Sequence, residues 1–320
     1  MNQQSTPDWT SGTPQNKRQT LSYLAQLLAS QGLRAKKIFG QNFLVDLNLL
    51  DLLVKRAKIG KGDVVLEVGA GTGSLTSRLV QEAGYVVSVE IDDGFYKLAS
   101  TEVDDAKNIT LLHTDILKGK NQMQPAVMDA VRAAMTTMNT DHFHIVANFP
   151  YDVASSIIAN ILLEEIDVRS MTFTVQYEAA LRIVAPPRDR DYGPLAVLVQ
   201  TLGTAEIFRT LPPSAFWPRP KVDSAFVRID ITPGKKQSIH DLKSFHHFVR
   251  MLFIHRRKNL RGGIVGIVEY KPIKKQIPEI LSEVGLDRDD RAEGLPPAKL
   301  YELYEQLERH RLAVGEDASD

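Results

Sequence analysis

The sequence predicts an α/β protein: a doubly wound, mostly parallel, Rossmann-like sheet followed by a small C-terminal helical domain. Three observations carry this. Short apolar runs alternate with helix-patterned runs from residue 63 onward, as in a sheet covered on both faces by helices. A glycine cluster, "GAGTG", directly follows the first such run, at the strand exit where open α/β sheets bind ligands. After Pro233 the strand signals stop and only helical periodicity remains.

The chain opens with a polar segment, "MNQQSTPDWTSGTPQNKRQ", which lacks the apolar core of a signal peptide and reads as a disordered arm. Leucines at helical spacing over 20–34 predict a helix. A second helix is expected from Asp46, a good N-cap residue, to Ala57. "DVVLEVGAG" predicts a buried strand, "SLTSRLVQEA" a helix and "YVVSVEID" a strand. "GFYKLASTEV" then predicts a helix and "NITLLHTDIL" a strand. A helix-like insert spans roughly 125–138. "FHIVANFPY" follows as a strand, "VASSIIANILLEE" as a helix and "SMTFTVQYEAALRIV" as a strand running into a helix. "PLAVLVQTLGTAEIFRTLP" and "SAFVRIDITP" are expected to add further strands. The division predicted is an extension at 1–35, partly disordered, a sheet domain at 36–234, a helical domain at 235–310 and an acidic tail at 311–320.

The 320 residues are 43% apolar and 24% charged, which is ordinary globular composition. There is no cysteine, so disulfides and thiolate metal sites are excluded; no metal site is expected, and a reducing compartment such as the cytoplasm fits. No apolar run approaches the length of a membrane span. Net charge is zero, yet residues 182–275 hold 18 Lys and Arg against 7 Asp and Glu, a net of +11. A polyanion responds to that local field rather than to the total.

In "VLEVGAGTGSLT" the glycines are Gly69, Gly71 and Gly73. The dinucleotide fingerprint needs a further glycine where Ser74 stands, which disfavours a nicotinamide oxidoreductase. Glu90 ends the next strand, where an acid accepts hydrogen bonds from ribose hydroxyls. Asp115 ends the third, placed to accept from an adenine amine. Glu67 precedes the loop and is positioned to orient it. A nucleoside pocket without a pyrophosphate site suggests S-adenosylmethionine.

The fourth strand ends in "NFPYD". The Asn148 amide does not titrate, but its carbonyl accepts hydrogen bonds. An exocyclic base amine is a poor nucleophile because its lone pair is delocalised. Two acceptors gripping its N–H groups, the Asn148 side chain and the Phe149 carbonyl, would aim that lone pair at a methyl group. Pro150 fixes the bend. Tyr151 offers a stacking face for a base taken out of its stack. Phe216, in the proline-stiffened "PPSAFWPRPKVDS", is a second candidate ring; the alternative is that Phe216 or Trp217 is a core residue, with Trp217 as readily one as the other.

Taken together, "GQNFLVD", "VLEVGAGTGSLT", "VEID", "TDIL", "ANFPYDVASSII", "VQYEAALRIVA", "DYGPLAVLVQ", "PPSAFWPRPKVDSAFVRI", "LFIHRRKNLR" and "DRAEGL" resemble the ribosomal RNA adenine N6-dimethyltransferase family from about Lys37 to Leu307. The resemblance implies a class I methyltransferase fold and S-adenosylmethionine as cofactor. It implies that Asn42, Leu44, Gly69, Gly71, Glu90, Ile91, Asp115, Ile116 and Asn148 line the cofactor site. It also implies that Tyr151 and Phe216 sandwich the target adenine. The "HRRKNLR" helix and the "RAE" turn look like the branch that dimethylates two adjacent adenosines near the 3′ end of small-subunit (16S) rRNA. That branch implies a monomer acting on an assembling 30S particle. The alternatives are the macrolide-resistance branch, which methylates large-subunit rRNA, and an assembly factor without activity. Arg182, Arg219, Lys221, Arg256, Arg257, Lys258 and Arg261 are candidate phosphate contacts, some of them expected to be structural. The chain departs from the family pattern at Phe149, at Asp152, which stands where the family has Asn, and in a longer segment over 119–141.

Overall fold

The computed structural model describes residues 40–317 without a break, together with Gln26, Leu28 and residues 30–35 before them. The N-terminal arm and most of the helix expected at 20–34 fall outside the described residues. Gln26, Leu28 and Ser30 are helical.

The described residues form eleven strands: β1 (Phe43–Leu44), β2 (Val64–Val68), β3 (Tyr85–Glu90), β4 (Ile109–His113), β5 (Leu117–Gly119), β6 (Gln122–Met123), β7 (Phe143–Asn148), β8 (Ser170–Gln176), β9 (Gly203–Leu211), β10 (Phe216–Trp217) and β11 (Ser224–Ile231). Seven of them make the central sheet, in the order β4-β3-β2-β7-β8-β11-β9. The first five run parallel, and β11 and β9 close the sheet antiparallel. Strand order reverses between β2 and β7. In open α/β sheets that reversal opens a crevice at the carboxyl ends of the strands, and the exits of β2 and β7 are Gly69 and Asn148.

Local sequence accounts for most elements. The Asp46 carboxylate caps helix Leu47–Ala57 by accepting from the N–H groups of Asn48 (2.9 Å) and Leu49 (3.3 Å). Its buried Leu50, Leu53, Val54 and Ala57 recur at helical spacing, which gives one apolar face. The other end of this helix is held from a distance. The buried Arg228 guanidinium of β11 donates to the carbonyls of Arg56 (2.7 Å) and Ala57 (2.9 Å), and through Nε to Asp230 (2.9 Å). Such charge-assisted bonds satisfy carbonyls that a helix C-terminus leaves open.

Three expectations need correction. Pro194–Leu202 is a helix, not a strand; only Gly203–Leu211 of that stretch is extended. A continuous apolar run does not declare its period. Here Pro194 starts a helix whose Ala196–Val199, Thr201 and Leu202 are all buried. The strand expected through "TDIL" stops at His113, and residues 117–123 form a small antiparallel hairpin before helix Pro125–Met138. The "HRRKNLR" segment is not one helix: residues 255–259 are the turn between helices Leu242–Ile254 and Leu260–Val265, and only Leu260 and Arg261 are helical.

Beyond Ile231 the described residues form helices and turns, ending in helix Pro297–Asp317, which runs through most of the expected tail. One apolar cluster continues from Val64 and Leu66 in β2 through Leu198 to Phe248, Leu300 and Leu303. The sheet and the C-terminal helices therefore share a core. Among the described residues no helix is long and apolar enough to cross a membrane.

Candidate functional site

A cavity of about 410 Å³ lies at the strand-order reversal. One wall is the glycine loop. Gly69 and Ala70 donate their N–H groups to Val89 O (2.8 and 3.1 Å), so the loop is pinned to β3. Gly71 has φ +55°, and a Cβ there would stand 2.9 Å from the Phe43 ring. Only glycine meets both conditions without strain.

The Glu90 carboxylate at the end of β3 is buried and engaged at both oxygens. Oε2 accepts from Gly71 N–H (2.8 Å) and Oε1 from Asp92 N–H (2.9 Å). Each oxygen keeps a second lone pair for a ligand hydroxyl. Burial pushes this carboxyl above the ordinary range, opposed by the two N–H donors. Behind it lies Glu67, fully buried, whose Oε2 accepts from the hydroxyls of Thr76 (2.7 Å) and Ser88 (2.6 Å). Desolvation raises this carboxyl to about 7. Glu67 thus ties β2, β3 and the helix after the glycine loop together, as a support rather than a wall of the cavity. Asp115 is exposed at the rim, with Oδ1 accepting from Leu117 N–H (2.9 Å).

Asn148 occupies the opposite wall. Its Nδ2 donates to Asn42 O at 2.7 Å, while its Oδ1 is buried with no hydrogen-bond partner. The amide must face this way, since only its NH₂ group can bond a carbonyl. A buried unsatisfied acceptor costs about 1–3 kcal/mol, and a donor arriving in the cavity would recover it. Phe149 and Pro150 line the same wall. The Phe149 ring itself is buried against Phe173, centroids 4.9 Å apart.

Of the nine residues expected around a cofactor, eight line the cavity: Asn42, Gly69, Gly71, Glu90, Ile91, Asp115, Ile116 and Asn148. Leu44 does not. β1 pairs antiparallel with β10, and Leu44 faces Phe216 inside an apolar cluster with Leu50 and Leu53. Its neighbour Phe43 lines the cavity instead. The same pairing corrects the place of Phe216. Phe216 is 3% exposed and packs into that cluster, where a ring of this size gains by burial. Trp217 stacks on Phe43, centroids 6.4 Å apart. Tyr151 lies beside the cavity, half-buried, with its hydroxyl 2.6 Å from Ser224 Oγ; burial raises its phenol above the usual range. Gln41, Thr114 and Val153 were missed, as was Asp152 as a lining residue. Neighbourhood to "QNF", "TDI" and "NFPY" was the available signal.

The candidate phosphate contacts fall into two groups. Arg182, Arg219 and Lys221 are exposed on helix Tyr177–Val184 and in the β10–β11 loop. Arg257, Lys258 and Arg261 are exposed around the turn after helix Leu242–Ile254. Arg256 stands apart from both. It pairs with Glu293 (Nε to Oε2, 2.9 Å) and donates to Arg190 O (3.1 Å), so it joins two segments of the protein.

Comparison with known proteins identifies the family. Residues 32–309 match the family described as "Ribosomal RNA adenine dimethylase". The chain is 32% identical to the "Ribosomal RNA small subunit methyltransferase A" of Clostridium acetobutylicum, over 89% of this chain and 98% of that one. It is 35% identical to the protein of the same name from Geobacillus thermodenitrificans, over 88% and 94%. In fold it is similar to a dimethyladenosine transferase from Plasmodium falciparum (TM-score 0.69, 22% identity, 82% of this chain and 96% of that one). It is also similar to the 23S rRNA methyltransferase ErmE (TM-score 0.58, 24% identity, 83% and 99%).

Proposed function

The chain belongs to the ribosomal RNA adenine dimethylase family, and from that premise we propose how its cavity does the work and on which RNA. The protein is an rRNA adenine dimethyltransferase that uses S-adenosylmethionine. Its target is small-subunit rRNA, at two adjacent adenosines near the 3′ end, within an assembling particle in the cytoplasm. The relatives' names support the small-subunit branch. ErmE supports the large-subunit alternative only at the level of fold.

Gly69 and Gly71 would admit the cofactor, Glu90 would accept from its ribose and Asp115 from its adenine amine, with Ile91 and Ile116 lining the same cavity. Asn42 lies toward the amino-acid end. Bound there, S-adenosylmethionine supplies an electrophilic methyl group. The buried, unpaired Asn148 Oδ1 is the single observation that carries the mechanism. It accepts one N–H of the adenine amine, the Phe149 carbonyl accepts another, and the nitrogen lone pair is thereby turned toward the methyl. No general base is required of an amide; the enzyme positions and polarises. Pro150 holds the bend, and Tyr151 takes the base by stacking. In this reading residues 36–234 do the chemistry, and the cations at 182, 219, 221, 257, 258 and 261 meet phosphates.

Mass analysis of both rRNAs from cells lacking the gene tests the substrate. Loss of dimethyladenosine from the small subunit alone is expected. Loss from the large subunit alone overturns the assignment.

A further inference from the structure

Six large apolar side chains are well exposed among the described residues, and three of them, Ile91, Tyr177 and Val222, sit at the carboxyl edge of the sheet or in the loop beside it. Ile91 belongs to the cavity. Tyr177 (37% exposed) and Val222 (44%) do not, and nothing in the chemistry above uses them.

Their place is defined by hydrogen bonds. Tyr177 begins the helix that follows β8, and its N–H donates to Asp223 O at 3.0 Å. Asp223 precedes Ser224, whose hydroxyl meets the Tyr151 hydroxyl at 2.6 Å and whose Cα pairs with that of Gln176, the residue before Tyr177. A short rigid path therefore joins the ring at the target pocket to a second ring outside it. β8 lies next to β7 in parallel register, Thr174 opposite Asn148, so both rings rise from the same edge. Arg219 and Lys221 precede Val222 in its loop, and Arg182 is on the Tyr177 helix, three exposed cations against the acids Glu178 and Asp223.

An exposed aromatic ring with cations on its own helix and in the adjoining loop, beside a pocket that takes one base, suits single-stranded nucleic acid: the ring stacks a base and the cations follow the backbone. Taking one adenosine out of its stack leaves its neighbour without a stacking partner. We infer that Tyr177, backed by Val222, is the stacking platform for the nucleotide adjacent to the adenosine being methylated. This rests on the reading of an rRNA substrate given above.

The test uses the full-length enzyme and unmethylated small-subunit rRNA substrate carrying 2-aminopurine next to the target adenosine, a base whose fluorescence is quenched by stacking. Quenching on binding is expected for the unaltered enzyme and for Tyr177→Phe, and its loss for Tyr177→Ala. KM for RNA should rise roughly 5- to 100-fold in Tyr177→Ala, with kcat, cofactor affinity and Tm unchanged. Retained quenching with KM within twofold overturns the inference, as does a loss of cofactor affinity or Tm, which would make the role structural. Methyl transfer by the unaltered enzyme is read in the same samples. Its absence would sink the rRNA assignment, which is a different outcome from failure of the stacking site.

Discussion

The two walls of the cavity treat buried polar groups in opposite ways. On the β2–β3 side, Glu90 accepts a backbone N–H at each oxygen before any ligand arrives. On the β7 side, Asn148 spends its donor on Asn42 and leaves its acceptor buried and unpaired. The first wall is preorganised by the chain itself, and a ligand adds bonds to groups already fixed. The second keeps an acceptor whose desolvation has been met and whose bond is still to be made, a cost of about 1–3 kcal/mol. We propose that binding belongs to the first kind of wall and chemistry to the second, since an acceptor held in place by the fold needs no reorganisation when charge develops on its partner.

The sharpest way to break this contrast is Asn148→Ala. Loss of one preorganised polar contact in a reacting site costs on the order of 10²–10³ in kcat. Single-turnover transfer should fall by that factor, while the cofactor Kd measured by calorimetry stays within about tenfold. Transfer at near the original rate would refute the role assigned to this amide.

Glu90→Ala should do the reverse. Bonds to a charged acceptor are worth about 1.5–3 kcal/mol each, so cofactor Kd should weaken roughly 10- to 100-fold for each ribose hydroxyl that Glu90 holds. At saturating cofactor, kcat should change only a few-fold. Equal losses in both would mean that the walls are not separable.

The smallest effect expected is in stability against pH. Glu67 is raised on folding from 4.5 to about 7, so the folded protein holds its proton where the unfolded chain has released it. Its contribution is therefore fully present below about pH 4.5 and is lost as pH rises through 7. Part of the decline in Tm between pH 5 and 8 should vanish in Glu67→Gln, with cofactor affinity little altered. An unchanged pH slope would show that Glu67 does not carry this proton.

Much of this was legible in the chain. The alternation of strands and helices, the Asp46 cap and the glycine loop with its acids are short-range patterns, and they mapped directly onto β2, β3, β4, β7 and the cavity. Helix Pro194–Leu202 was not legible, because a segment buried on every side shows neither period 2 nor period 3.6. Phe216 and Leu44 were misplaced for a different reason. Their positions depend on pairing between β1 and β10, some 170 residues apart in sequence, and no local pattern reports which of two neighbouring rings turns inward. Phe43 took the cavity and Phe216 the core.

The sequence by itself determined the family, the cofactor and which residues are chemically able to serve, because residue types and their spacing decide those. Only the tertiary structure decided which groups are already paired. Glu90 and Asn148 look alike as polar residues at strand ends, and Arg256 looks like Arg257. A hydrogen bond is a relation between distant parts of the chain, made when packing removes water from both. Which acceptor is left over follows from the whole fold and from no single stretch of it.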